Sequence, residues 1–200
     1  MSNRAYFCCT DWKRIYPSSA GRQAGFDPKI HTVLSSAGCV PLLWLGMFSF
    51  DDLVESTFEL DDGPYDVVAP LARREAAIER LRSRREWLDA LFRECGGVAT
   101  HVDLFLEHVS RYGKQWLTIE LDEISHLYDD PDEWYEMLGD ALVRMDARDE
   151  DAKDTLVELS TVMTERRIPP FADLVTSKQE ERWNFFRVMG EGWLSPAPWG

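Results

Sequence analysis

Apolar positions recur along this chain with two different periods, and the switches between them mark its elements. Asn3 to Thr10 is aromatic and Cys-rich and lacks helix formers, so it reads as a buried strand. Tyr16 to Gly21 and Gly25 to Pro28 carry loop chemistry, and a short strand is expected around Ile30 to Leu34. Pro41 to Phe48 is a short apolar run that fits a strand or a buried helix led by Pro at its first turn; the helix is preferred. Asp61-Asp62-Gly63-Pro64 is a turn. After it the longest helical pattern spans about Val67 to Glu94, with Leu71, Ile78, Leu81, Leu88 and Leu91 on one face, until Gly96-Gly97 stops it.

Thr100 opens the next helix, and Asp103 three residues on gives a capping-box pattern with Gly113 as the C-terminal cap. Gln115 to Leu121 alternates, placing Leu117, Ile119 and Leu121 on one face of a half-buried strand. In Asp130-Pro131-Asp132-Glu133, Asp130 is the N-cap, Pro131 the first helical residue, and Glu133 is placed to reach back. That helix runs to about Met145. A second, from about Asp149 to Met163, follows after so short a gap that the two form an antiparallel hairpin. Ile168-Pro169-Pro170 breaks the chain before a short helix near Phe171 to Val175. Trp183 to Met189 reads as a last strand, and 192–200 as a Pro- and Trp-bearing tail.

Helices and strands mix without regular alternation, and no repeat or linker divides the 200 residues. The expectation is a single α+β domain: a small, mostly antiparallel sheet packed with several helices, including the acidic hairpin. With 44% hydrophobic residues and eight Trp the chain has the means to bury a substantial core. The opening Met-Ser-Asn-Arg lacks a signal-peptide pattern, and the longest apolar run, Val40 to Phe50, is far below the roughly 20 residues that span a bilayer. Cys8, Cys9, Cys39 and Cys95 have neither framework nor zinc-site spacing. Reduced structural thiols and a cytoplasmic location are therefore expected.

Charge changes the picture more than composition does. The net charge is −14, and residues 120–158 alone hold 15 acidic against 3 basic side chains. Such a field repels nucleic acid and anionic membranes and attracts basic proteins. On the first hairpin helix Tyr135, Leu138, Leu142 and Met145 form an apolar stripe, while Glu133, Glu136 and Asp140 lie on another face at i, i+3 and i+7. On the second, Ala152, Leu156, Leu159 and Met163 pack inward and Asp151, Asp154 and Glu158 repeat the acidic spacing. Like charges so spaced destabilise a helix by a few tenths of a kcal/mol per pair, which a solubilising face alone tolerates and a binding face explains.

The other candidates carry less chemistry. Glu123 and His126 form a single Glu-x-x-His element, where carboxylate-bridged sites need two. His101 and His108 are two turns apart, too far for one metal, and Asp103 and Glu107 have no His on their own face. Arg73, Arg74, Arg80, Arg82, Arg84 and Arg85 are interleaved with acids, with Arg82–Glu86 and Arg85–Asp89 at i,i+4, so they read as a self-paired helix face. Gly190-Glu191-Gly192 lacks the third glycine of a phosphate loop, and no nucleophile elbow or zinc-protease motif occurs. No cofactor, metal or catalytic residue is assigned from the sequence.

The opening Met1-Ser2-Asn3-Arg4-Ala5-Tyr6-Phe7 with Thr10, together with Trp116 to Asp122 and Asp130 to Trp134, resembles a loose group of uncharacterised bacterial proteins beginning M-x-N-R-x-Y. The small acidic architecture is also similar in style to immunity proteins that protect bacteria from antibacterial toxins. The expectation is thus an immunity- or antitoxin-type protein that neutralises a basic, nucleic-acid-targeting toxin through Glu133, Glu136, Asp140, Asp151, Asp154 and Glu158. The alternative is a small hydrolase or transferase whose carboxylates, or Cys95 and His101, meet only in the folded chain. A self-assembling subunit using Trp193 and Trp199 is a third reading.

Overall fold

In the computed structural model, residues 3–15, 31–60, 63–160 and 188–192 are described. Strand β1 (Arg4–Thr10) lies inside a six-stranded antiparallel sheet and is buried on both faces, which is why its sequence is apolar without alternation. Its neighbours are β2 (Thr32–Ala37) and β5 (Trp116–Glu120). Beyond β5 come β4 (Gly63–Arg73) and then β3 (Leu53–Leu60), and beyond β2 the two-residue β6 (Glu191–Gly192). The helices are α1 (Leu42–Leu45), α2 (Arg74–Leu91), α3 (Ala99–Ser110), α4 (Asp122–Ser125), α5 (Pro131–Ala147) and α6 (Lys153–Leu159). This is one small α+β domain, as the mixed pattern requires.

Phe7 organises the core. Its ring meets Trp44, Phe48 and Phe105 at centroid distances of 5.4, 6.5 and 5.9 Å, so one β1 residue joins α1, the following turn and α3. Burying such a ring is worth about 1.5–3 kcal/mol over leaving it in water. The Trp44 indole donates to the Met189 carbonyl at 2.9 Å, tying the segment before β6 to α1.

Several expectations need correction. The helix expected from Val67 begins at Arg74: Val67 to Arg73 continue β4, and Leu71 pairs with Thr118. Two adjacent β-branched residues and Pro70 favour extended backbone there, and the buried face of α2 is Ala77, Leu81, Arg84 and Leu88. The sequence reading places no strand at β3, where polar Ser56 stands between Val54 and Phe58 on the apolar face and weakens the alternation. The first β2 residue is Thr32, two later than expected, and residue 30 lies outside the described residues. Thr100 and Asp103 form no capping box: the Asp89 carboxylate of α2 accepts from Val98 N and Ala99 N at 2.9 and 2.8 Å, and Asp103 turns to Arg85. The C-cap of α3 is Arg111, not Gly113.

In the hairpin, Asp130 caps α5 as expected, accepting from Asp132 N at 3.0 Å. Trp134 is fully buried on α5, whereas Tyr135 is half-buried. The second helix is preceded by a 3₁₀ turn, Glu150–Ala152, capped by Asp149, and α6 itself starts at Lys153. Met163, the helix near Phe171 to Val175 and the 193–200 tail lie outside the described residues. Of the expected last strand, Trp183 and its neighbours to 187 lie outside them too, and Val188 and Met189 are helical.

Candidate functional site

The Arg-rich face of α2 is turned to a structural task. Arg80 donates to the Met47 carbonyl and the Asp52 carboxylate, at 2.8 and 2.7 Å. Arg84 donates to the carbonyls of Gly46 and Phe48 and pairs with Asp146 of α5. Arg82 bonds Glu79 at i,i−3, and Arg85 bonds Asp103 on α3, so the expected Arg82–Glu86 and Arg85–Asp89 pairs give way to other partners. The turn after α1 is thereby fixed. Ser49 N and Ser49 Oγ donate to Asp52, and Phe50 N donates to Asp146 at 3.0 Å. Phe50 is held at the surface by these clamps, 49% exposed.

Beside it runs a shallow, open groove of about 430 Å³ between α5 and the β3–β4 ribbon. Its floor is apolar: Phe50, Leu53, Val68, Tyr135, Gly139 and Val143. Val143 is 47% exposed. Asp132, Glu136 and Asp140 form its rim. Gly139 brings α5 close to the ring of Phe50: a Cβ there would stand 3.3 Å from Cε2. Across the ribbon Glu55 stands opposite Val68 and Thr57 opposite Asp66, so exposed Glu55 and Asp66 extend the acidic rim along the ribbon's outer face.

Of the six acidic residues singled out from the sequence, Glu133, Glu136, Asp140, Asp151, Asp154 and Glu158 are all exposed. The groove takes in Glu136 and Asp140, and Asp140 also pairs with Arg144 at 2.6 Å. Glu158 acts on Tyr128 instead: burial first, then this carboxylate, pushes the phenol up to about 12. Phe50, Val143, Glu55 and Asp66 escaped the sequence reading. One signal was available, since Glu136, Asp140 and Val143 fall at i, i+4 and i+7 on one helical face.

A second polar cluster joins the ribbon to the end of β5. Tyr65 OH donates to the buried Asp122 carboxylate, and burial followed by this bond pushes the phenol well above its ordinary range. His126 Nδ1 donates to the Asp122 carbonyl at 2.8 Å, with Nε2 3.5 Å from Tyr65 OH. Ser125, 1% exposed, donates to the same carbonyl and accepts from Tyr135 OH. Chemically this is a tie, because its hydroxyls and imidazole are turned on one another. Glu123, the other half of the Glu-x-x-His element, accepts from Arg4 N at 2.9 Å. His108 faces Tyr112, Glu107 pairs with Arg111, and among the described residues no three His, Cys, Asp or Glu stand together as a metal site.

Among the described residues no helix is long and apolar enough to cross a membrane. In comparisons with known proteins, no family model, no curated protein and no solved structure matches the chain.

Proposed function

We propose that this chain is a binding protein of the immunity or antitoxin type, which docks and neutralises a basic, nucleic-acid-targeting toxin. One observation carries the reading: a groove lined by apolar residues, with Phe50 and Val143 half exposed, is flanked on its α5 side by Asp132, Glu136 and Asp140. An acidic face that served only solubility has no need of a clamped aromatic beside it. Interfaces take their short-range energy from such anchors and their encounter rate from complementary charge. A toxin that acts on nucleic acid carries a basic cleft for phosphates, and a surface of this sign and shape covers it.

The test is capture of a partner from source cells with the full chain as bait, at low and high salt, followed by calorimetry with the purified partner. A stoichiometric basic protein, bound by wild type and weakened at least tenfold by Phe50→Ser with Glu136→Gln and Asp140→Asn, supports the reading. No partner at either salt, or one bound equally by the triple variant, sinks it.

A further inference from the structure

Among the described strands β3 is the last on one side of the sheet, and its sequence surroundings are strongly acidic: residues 51–62 hold six acidic side chains and no basic one. Its hydrogen-bonding phase can be read from its neighbour. Pro64 and Pro70 of β4 have no N–H for the ladder and stand opposite Glu59 and Leu53, so these pairs exchange no hydrogen bonds between the strands, and by the period of two neither do Val68 and Glu55. In an antiparallel ladder the residues of such a pair both turn their backbone groups outward. Glu55, opposite Val68, therefore presents its N–H and C=O on the free side of β3, and by the period of two so do Leu53, Thr57 and Glu59.

The same four residues project their side chains on the face that carries the groove, since Leu53 lines it and Glu55 adjoins Val68. No described strand pairs with it on that side, and an edge of this length is a template for another strand. Which strand it accepts is set by charge. A second copy paired antiparallel about Thr57 would set each Glu55 against a Glu59, and like charges directly opposite are destabilising. A strand with Lys or Arg at alternate positions meets acids instead.

We propose that the outer edge of β3 accepts an extended, basic strand of the partner, which adds to the sheet beside Leu53, Glu55, Thr57 and Glu59. This rests on the reading of the chain as a binder of a basic protein and names how that partner engages. Main-chain pairing along the edge would supply affinity, and Glu55 and Glu59 would select alternate basic side chains.

The experiment titrates the full-length chain with a fluorescent peptide, acetyl-Lys-Val-Lys-Val-Lys-Thr-Lys-amide, and with its analogue N-methylated at alternate residues. Methylation keeps every charge and removes one edge of donors. The expected result is binding of the plain peptide at low salt, at least about tenfold weaker for the methylated one. Peptide binding should also slow amide exchange at Glu55, Thr57 and Glu59 more than at Val54, Ser56 and Phe58, whose amides face β4. Thr57→Pro, which deletes an outward donor and leaves the β4 ladder intact, should weaken the plain peptide to a similar degree.

Equal affinity for the two peptides, protection confined to α5 and Phe50, or no binding of either at low salt overturns strand addition. Those results leave the partner reading to its own test, because capture by the groove depends on Phe50, Glu136 and Asp140 and not on the β3 backbone.

Discussion

Arg84 of α2 and Asp146 of α5 meet at 2.5 Å, with the guanidinium 3% exposed and the carboxylate at the surface. Burial pulls the Arg84 guanidinium down to about 10, and Asp146 opposes that shift. The pair does two things at once. It gives a cation in the core its counter-charge, and through the other Asp146 oxygen it holds Phe50 N, so a stabilising contact also shapes the groove.

Removing both partners should therefore cost less than the sum of removing each alone. Arg84→Ala opens a cavity and strands the Gly46 and Phe48 carbonyls, for an expected loss of about 3 kcal/mol in urea unfolding. Asp146→Ala leaves a buried charge with the Gly46 and Phe48 carbonyls and the Met145 sulfur as its partners, for about 2 kcal/mol. Arg84→Met combined with Asp146→Leu should destabilise less than the sum of the two alanine variants.

Gly190 cannot carry a side chain. Its φ of +81° lies in the left-handed region, and a Cβ there would stand 2.4 Å from Cζ2 of the buried Trp44. Gly190→Ala is expected to lower stability by about 2–4 kcal/mol, with a red-shifted tryptophan emission as Trp44 loses its bond to Met189. A variant with wild-type stability and emission would mean that the 188–192 segment is not seated on α1.

The described thiols should be inert while the chain is folded. Cys8, Cys9 and Cys39 are buried and form no disulfide with one another, and burial pushes the Cys9 thiol up to about 11, far from the thiolate needed for reaction. Iodoacetamide followed by peptide mass spectrometry should leave these three unlabelled in native buffer and label them in denaturant. Rapid native labelling of Cys9 would contradict its place in β1.

Acid should weaken the fold through two imidazoles. Burial lowers His101, and burial followed by the Arg111 charge lowers His108, both from an ordinary value of 6.5. The unfolded chain then binds protons more readily than the folded one. Stability from these groups is present above about pH 6.5 and is lost as pH falls below it. Urea midpoints measured from pH 7.5 to 5 should decline, and His101→Phe should flatten part of the decline.

The elements with strong local signals were legible in the sequence. Asp130 and Pro131 set the start of α5, Gly96 ends the helical region at a φ of +90°, and the alternation of Leu117 and Ile119 identifies β5. The β3–β4 ribbon was not legible in the same way. Val67 to Arg73 has the apolar content of a helix face, and only pairing with β3 and β5 decides that it is extended. Similarly, Asp89 lies close enough to α2's Arg85 to suggest an i,i+4 bond, but in the fold it caps α3.

The sequence by itself determined the fold class, the overall acidity and elements such as β1, β5 and α5, because these follow from local periodicity, capping chemistry and summed charge. Tertiary structure decided which acidic residues share a surface with exposed apolar ones. Phe50 and Val143 are 93 positions apart and look like ordinary core residues in one dimension. They line one groove because Arg84 and Asp146 bring α2, the turn after α1 and α5 together, a long-range arrangement that no local pattern encodes.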